Sequence, residues 1–169
     1  MKTRSFLMTT LCALMMGAGF ASCADEFDEW EQPDPDPLAK NLTYILNEGL
    51  AQYNNANISS FYEIDGTPNV TANYYKVING QEMGSLANAM IEEDDNIYVV
   101  LDKSKYVARL DMTTKEQARY TFPEGEGGPR CIDVEDDYAY VTQYGGQVSK
   151  FNIKDMTLAG TFKGGDNLE

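Results

Sequence analysis

The sequence predicts an all-β chain whose body is a tandem repeat of four-stranded units, on three observations. Runs rich in Tyr, Val, Ile and Phe alternate with turn clusters from Leu42 onward, and nothing longer than a turn shows helical spacing. Ile97-Tyr98-Val99-Val100, preceded by Asp94-Asp95, aligns with Ala139-Tyr140-Val141-Thr142 behind Asp136-Asp137 at an offset of about 42 residues. Val107-Ala108-Arg109-Leu110-Asp111 aligns with Val148-Ser149-Lys150-Phe151-Asn152 at about 41. A repeat of that length made of four strands is the signature of a β-propeller blade.

Ahead of the repeats lies an address. Lys2 and Arg4 form a basic start, and residues 6–16 an apolar run too brief for a spanning helix and of the size of a secretory core. Gly17, Ala18 and Gly19 follow, then Phe20-Ala21-Ser22-Cys23, which resembles a bacterial lipobox although Phe departs from its first position. That resemblance implies cleavage of residues 1–22 and a diacylglycerol on the thiol of Cys23, which anchors the chain to a membrane. An ordinary signal peptide with a chance cysteine is the alternative. Residues 23–40 hold Asp25, Glu26, Asp28, Glu29, Glu31, Asp34 and Asp36 with prolines at 33, 35 and 37, a composition expected to stay disordered as an extended tether. An acidic run just after a lipidated cysteine resembles the surface-export signal of lipoproteins from Bacteroidetes-type bacteria; a plain solvated linker is the alternative.

The propeller is expected over residues 41–169. Strands are predicted near 86–92, 97–101, 106–111 and 117–122, then 131–135, 138–143, 147–153 and 157–162. An earlier divergent unit fits 42–48, 57–64 and 70–76 and lacks a first strand, with Ile58-Ser59-Ser60-Phe61 matching residues 107–110. The units thus span about 42–76, 85–122 and 130–163, and residues 81–90 are the one stretch expected to hold a helical turn. Rings close with four to eight blades, so about three, the first lacking a strand, form an incomplete propeller. The chain is expected to be a fragment truncated after Gly164-Gly165, with assembly of several copies as the alternative. Truncation predicts exposed Ile132, Val134 and Val141 on a face that a further blade would cover.

Composition excludes several functions. The chain of 169 residues has 13 Lys+Arg against 27 Asp+Glu, a net charge of −14 and no histidine. Without histidine, serine–histidine and cysteine–histidine hydrolysis are excluded within it. The acidity argues against nucleic acid, because Lys and Arg are scattered singly from Lys40 onward. Hydrophobic content of 43%, with Tyr 11 and Phe 7, is enough for a packed core. Cys12 leaves with the leader and Cys23 carries lipid, so Cys131 is alone in the folded part and is expected to be an inert hydrophobe in a core strand.

Tyr140-Val141-Thr142-Gln143, followed by a glycine-rich turn and residues 148–153, resembles the YVTN-type propeller repeat. Leu46-Asn47-Glu48-Gly49 with Asn54-Asn55-Ala56-Asn57 is similar to the first blade of propeller lipoproteins on the surface of gut Bacteroidetes. That resemblance implies an outer-membrane, surface-facing lipoprotein beside a TonB-dependent receptor, and for some members the capture of cobalamin.

Propeller connectivity places the loops over 49–56, 77–84, 102–105, 123–130 and 144–146 on one face. They carry the candidate ligand-binding residues Gln52, Tyr53, Asn54, Asn55, Lys103, Arg130 and Tyr144, together with Lys105. Amides, rings and cations of this kind suit a large amide-rich ligand. Arg130 has the alternative of pairing with an acid of its own loop. The opposite face carries Glu92, Glu93, Asp94, Asp95, Glu135, Asp136 and Asp137, expected as solvated turns because no calcium-loop spacing is present. Residues 125–128 lack the lysine of a phosphate cradle, and Tyr98 and Tyr140 are expected as packing residues. No catalytic residue, metal or cofactor is expected. The leading expectation is a non-enzymatic lipoprotein that binds a nutrient, with cobalamin the named ligand, for a TonB-dependent transporter. A structural or protein-interaction module is the alternative, and a quinoprotein- or lactonase-type enzyme the third reading.

Overall fold

The computed structural model describes residues 42–164; the leader, Cys23 and the acidic tether lie outside them. The described chain forms β1 (Thr43–Asn47), β2 (Asn57–Ile64), β3 (Thr67–Thr71), a short helix α1 (Tyr74–Asn79), β4 (Ala87–Glu93), β5 (Asn96–Leu101) and β6 (Tyr106–Asp111). It continues with β7 (Glu116–Thr121), β8 (Pro129–Glu135), β9 (Tyr138–Gln143), β10 (Gln147–Asn152) and β11 (Thr157–Lys163). Three antiparallel meanders result, β1-β2-β3, β4-β5-β6-β7 and β8-β9-β10-β11. They are blades of an incomplete propeller, the first with three strands, as the repeats predict. The two full blades repeat one another in register, Val100 opposite Val107 in one and Thr142 opposite Val148 in the other.

The acids at the hairpin tips have a backbone reason. Asp94 and Asp95 sit at φ 50° and 56°, Asp136 at 52° and Asp65 at 51°. A two-residue turn that matches strand twist needs left-handed residues, and Asp tolerates that region better than most side chains.

Burial separates the middle blade from its neighbours. In β5 every residue from Ile97 to Leu101 is buried, whereas β2 and β9 alternate buried and half-buried positions. Both faces of the middle blade are covered. On one side Ile97, Val99, Leu101, Tyr106, Ala108 and Leu110 pack with Ile58, Tyr75 and Met83. On the other, Tyr98, Val100 and Val107 pack with Phe122, Ile132, Val134, Val141 and Phe151. Side chains alternate along a strand, so a run as apolar as Ile-Tyr-Val-Val-Leu is stable only between two neighbours.

Three expectations are corrected. Ile132, Val134 and Val141 are not exposed: they form the contact with the middle blade. Period-two alternation puts Ile132 and Val134 on one face and Cys131, Asp133 and Glu135 on the other, and the first set faces inward. For the same reason Cys131 is exposed rather than a core hydrophobe. The third correction concerns helix: residues 81–86 are irregular and 87–90 belong to β4, while 74–79, expected as the end of a strand and the start of a loop, are helical. Tyr74 and Tyr75 are both fully buried, which consecutive strand positions on a one-sided sheet do not allow. Asn73 at φ 51° breaks the strand direction, and Gly80 at φ 71° ends the helix.

Helix α1 is fastened to the middle blade by polar contacts. Tyr75 donates its hydroxyl to Glu116 Oε2 at 2.7 Å, and the Arg119 guanidinium lies 3.7 Å over the Tyr106 ring while it pairs with Glu116. Tyr106 donates to the Met83 carbonyl at 2.6 Å. Asn79 Nδ2 donates to the Thr114 carbonyl at 2.9 Å, and its Oδ1 accepts the Glu116 N–H at 3.0 Å. Burial, reinforced by the Glu116 carboxylate, pushes the Tyr75 hydroxyl up to about 12 from its ordinary 10.0. Tyr44 and Tyr106 are raised as well, chiefly by burial. Above pH 10 an unfolded tyrosine releases a proton that the folded Tyr75 keeps, so its contribution is complete below pH 10 and is lost as pH rises toward 12. Urea midpoints measured across that interval are expected to fall steadily, and less steeply in Tyr75→Phe; a flat profile would contradict the assignment.

Candidate functional site

The loops predicted to share one face are joined edge to edge by hydrogen bonds. Asn54 donates its backbone N–H to Ser85 Oγ at 2.9 Å, and Ala56 donates to the Gly84 carbonyl at 2.8 Å, which ties the first loop to the segment before β4. Ser85 N–H then donates to Ser104 Oγ at 2.8 Å in the β5–β6 turn. Lys105 Nζ reaches the Glu126 carbonyl at 2.8 Å, and Tyr144 N–H donates to the Gly128 carbonyl at 3.0 Å. The bonds of Asn54, Ala56 and Lys105 cross from one blade to the next, and those of Ser85 and Tyr144 tie each full blade's entry segment to its own middle turn. The result is one continuous platform across the three sheets.

The candidate residues fall into three places on it. Gln52, Tyr53, Asn54 and Asn55 are exposed on the first loop, Tyr53 at 69%. Asn54 takes a left-handed backbone at φ 50°, and Asn55 Oδ1 accepts the Leu50 N–H at 2.7 Å, so these two also shape the loop that presents Tyr53. Lys103 is exposed on the second blade, 3.6 Å from the carboxylate of buried Asp102. Arg130 and Tyr144 meet on the third blade, the guanidinium 4.7 Å over the ring. The structure thus joins Arg130 with Tyr144 and leaves the other two groups as separate parts of the face. Among the described residues Arg130 makes no ion pair with Glu124 or Glu126, the alternative the sequence left open, and stacks on the Tyr144 ring instead. Lys105 is a strut.

Acids stand at both ends of the blades, with Glu48, Glu124 and Glu126 exposed on the loop face. Glu92, Glu93, Asp94, Asp95, Glu135, Asp136 and Asp137 are all exposed at the hairpin tips of the opposite face. Among the described residues no three His, Cys, Asp or Glu side chains gather in a way that would hold a metal ion.

A cavity of about 400 Å³ opens on the loop-face ends of β1, β4 and β8 and was not legible in the sequence. It is lined by Leu46, Glu48, Ala87, Asn88, Arg130 and Cys131. Of these the sequence singles out Arg130 alone as a ligand-binding candidate. The missed residues carry one weak signal: Asn88 is polar within the apolar start of a strand, where a bulge is one explanation.

The family described as "Domain of unknown function (DUF5074)" matches residues 41–166. No curated protein matches the chain. Among solved structures, the nidogen/laminin complex is 14% identical with a TM-score of 0.50, over 72% of this chain and 42% of that one. The computationally designed Ika8 protein is 16% identical with a TM-score of 0.44, over 64% of this chain and 34% of that one. The chain therefore spans less than half the length of either. The likeness to the nidogen/laminin structure supports a β-propeller-like fold.

Proposed function

The chain belongs to the DUF5074 family, and from that premise and the make-up of its loop face we propose that it is a non-catalytic, ligand-binding surface lipoprotein. Lipid on Cys23 holds it at the outer membrane, the acidic tether lifts the blades away, and the loop face captures a nutrient for a TonB-dependent transporter. The observation that carries this reading is the continuous platform made by loops of all three sheets, with exposed amides, aromatic rings and cations on it beside the exposed acids Glu48, Glu124 and Glu126. Side chains of those kinds recognise by hydrogen bonding and stacking. An amide-rich, neutral or mildly anionic ligand fits this chemistry, and a corrinoid is the first to try.

Titration of the full-length protein with cyanocobalamin by calorimetry is expected to give saturable heat at micromolar concentration. Arg130→Ala and Tyr144→Ala are each expected to weaken it by about tenfold, the scale of a lost stacked cation. Absence of heat would remove corrinoids as the ligand. A second reading, a protein-interaction module, is favoured by Leu50 and Tyr53, large hydrophobic side chains more than half exposed on the same loop.

A further inference from the structure

We propose that the cavity at the loop-face ends of β1, β4 and β8 binds a small zwitterion carrying a carboxylate and an ammonium, the amino acids being the class. The two first strands of the full blades both break register here. In β4 the break lies between Ala87 and Ala89, with Asn88 as the extra residue. In β8 it lies between Pro129 and Ile132, where Arg130 and Cys131 stand opposite the single residue Thr142 of β9. Bulges re-aim side chains that regular pleating would send elsewhere, and the residues so displaced line the cavity. Asn88 Nδ2 donates to the Pro129 carbonyl at 3.0 Å, which ties the two bulges together and leaves its Oδ1 as an acceptor.

The charges decide the ligand class. Arg130 and Glu48 line the same cavity with opposite sign, yet among the described residues neither makes an ion pair. Arg130 is held over the Tyr144 ring, which orients it without neutralising it. A singly charged ligand satisfies one of the two groups and leaves the other with no counter-charge; a zwitterion satisfies both, its carboxylate on Arg130 and its ammonium on Glu48. Leu46 and Ala87 supply a short apolar wall. A volume of about 400 Å³ lies at the small end of ligand pockets, which suits a molecule of amino-acid size. The inference rests on the loop face being a binding face, and not on a corrinoid being its ligand.

The test is calorimetry on the full-length protein with glycine, serine, leucine, glutamate, lysine and γ-aminobutyrate, and with acetate and ethylammonium as singly charged controls. At least one amino acid is expected to bind with a dissociation constant below about 1 mM and the controls not to bind. Arg130→Ala and Glu48→Gln should each weaken that binding by about tenfold or more while the thermal midpoint is kept. Cys131 lines the cavity and is exposed, so bound amino acid should also slow its alkylation by iodoacetamide, followed by mass mapping of that residue. No binding by any amino acid of the panel, equal binding of acetate, or full affinity in both variants would overturn the proposal. Cyanocobalamin titrated in parallel separates the two readings, since heat with the corrinoid alone removes the zwitterion site and heat with an amino acid alone removes the corrinoid.

Discussion

Phe151→Ala is expected to lower the unfolding free energy by about 3–5 kcal/mol, the usual cost of emptying a buried aromatic site. Phe151 is fully buried on β10. Its ring stands 4.9 Å from that of Tyr120 and 5.7 Å from that of Phe122, the latter edge to face. Tyr120 and Phe122 belong to the end of the middle blade and Phe151 to the last, so the trio joins two sheets that share no strand pairing. In a repeat protein the contact between neighbouring units supplies much of the stability of each. A domain of this size has about 5–15 kcal/mol in all, so the variant should lose roughly a fifth of it or more. Urea unfolding followed by far-ultraviolet circular dichroism measures the loss. A change below about 1 kcal/mol would mean that the two blades are not held through this ring.

Gly127→Ala is expected to cost about 1–3 kcal/mol and to dismantle the third-blade part of the loop face. A methyl group built on Gly127 would lie 1.7 Å from the carbonyl oxygen of Tyr144 and 2.6 Å from its carbonyl carbon. Those are backbone atoms, so no side-chain rotation relieves the clash, and the loop before β8 must move off the β9–β10 turn. Two hydrogen bonds go with that movement, Tyr144 N–H to the Gly128 carbonyl and Gln143 Nε2 to the Gly127 carbonyl at 3.2 Å. Arg130 follows this loop and Tyr144 sits on that turn, so their stacking is lost and ligand binding at the face with it. Gly160→Ala is the matched control: its nearest neighbour would lie 4.0 Å away and its backbone is not left-handed, so it should stay within about 0.5 kcal/mol of the parent. Equal stability and equal ligand affinity in Gly127→Ala would show that the two loops are not in contact.

Much of the strand order was legible because its causes are local. Asp94-Asp95 and Asp136-Asp137 mark hairpin tips through their backbone tolerance, and β9 shows its one-sided burial as an alternation. Helix α1 was not legible, because Tyr74 and Tyr75 read as strand-forming residues until Tyr44, 5.7 Å from Tyr74, and Glu116 are seen to take one ring each. The loop face was placed correctly from connectivity, but of its candidate residues only Arg130 and Tyr144 come into contact.

By itself the sequence determined the repeat, the strand order within each blade and the acidic hairpin tips at one end. The strand order and the tips follow from neighbours a few residues apart, and the repeat from matching residues about 42 apart. Tertiary structure alone decided which side of β8 meets the middle blade, and so why Ile132 and Val134 are covered while Cys131 is open. Alternation says which residues share a face, and only the adjacent sheet says which face is inside. The cavity that joins Glu48, Asn88 and Arg130 has the same origin: a bulge is one extra residue relative to a partner strand, and the register of that partner is set in space.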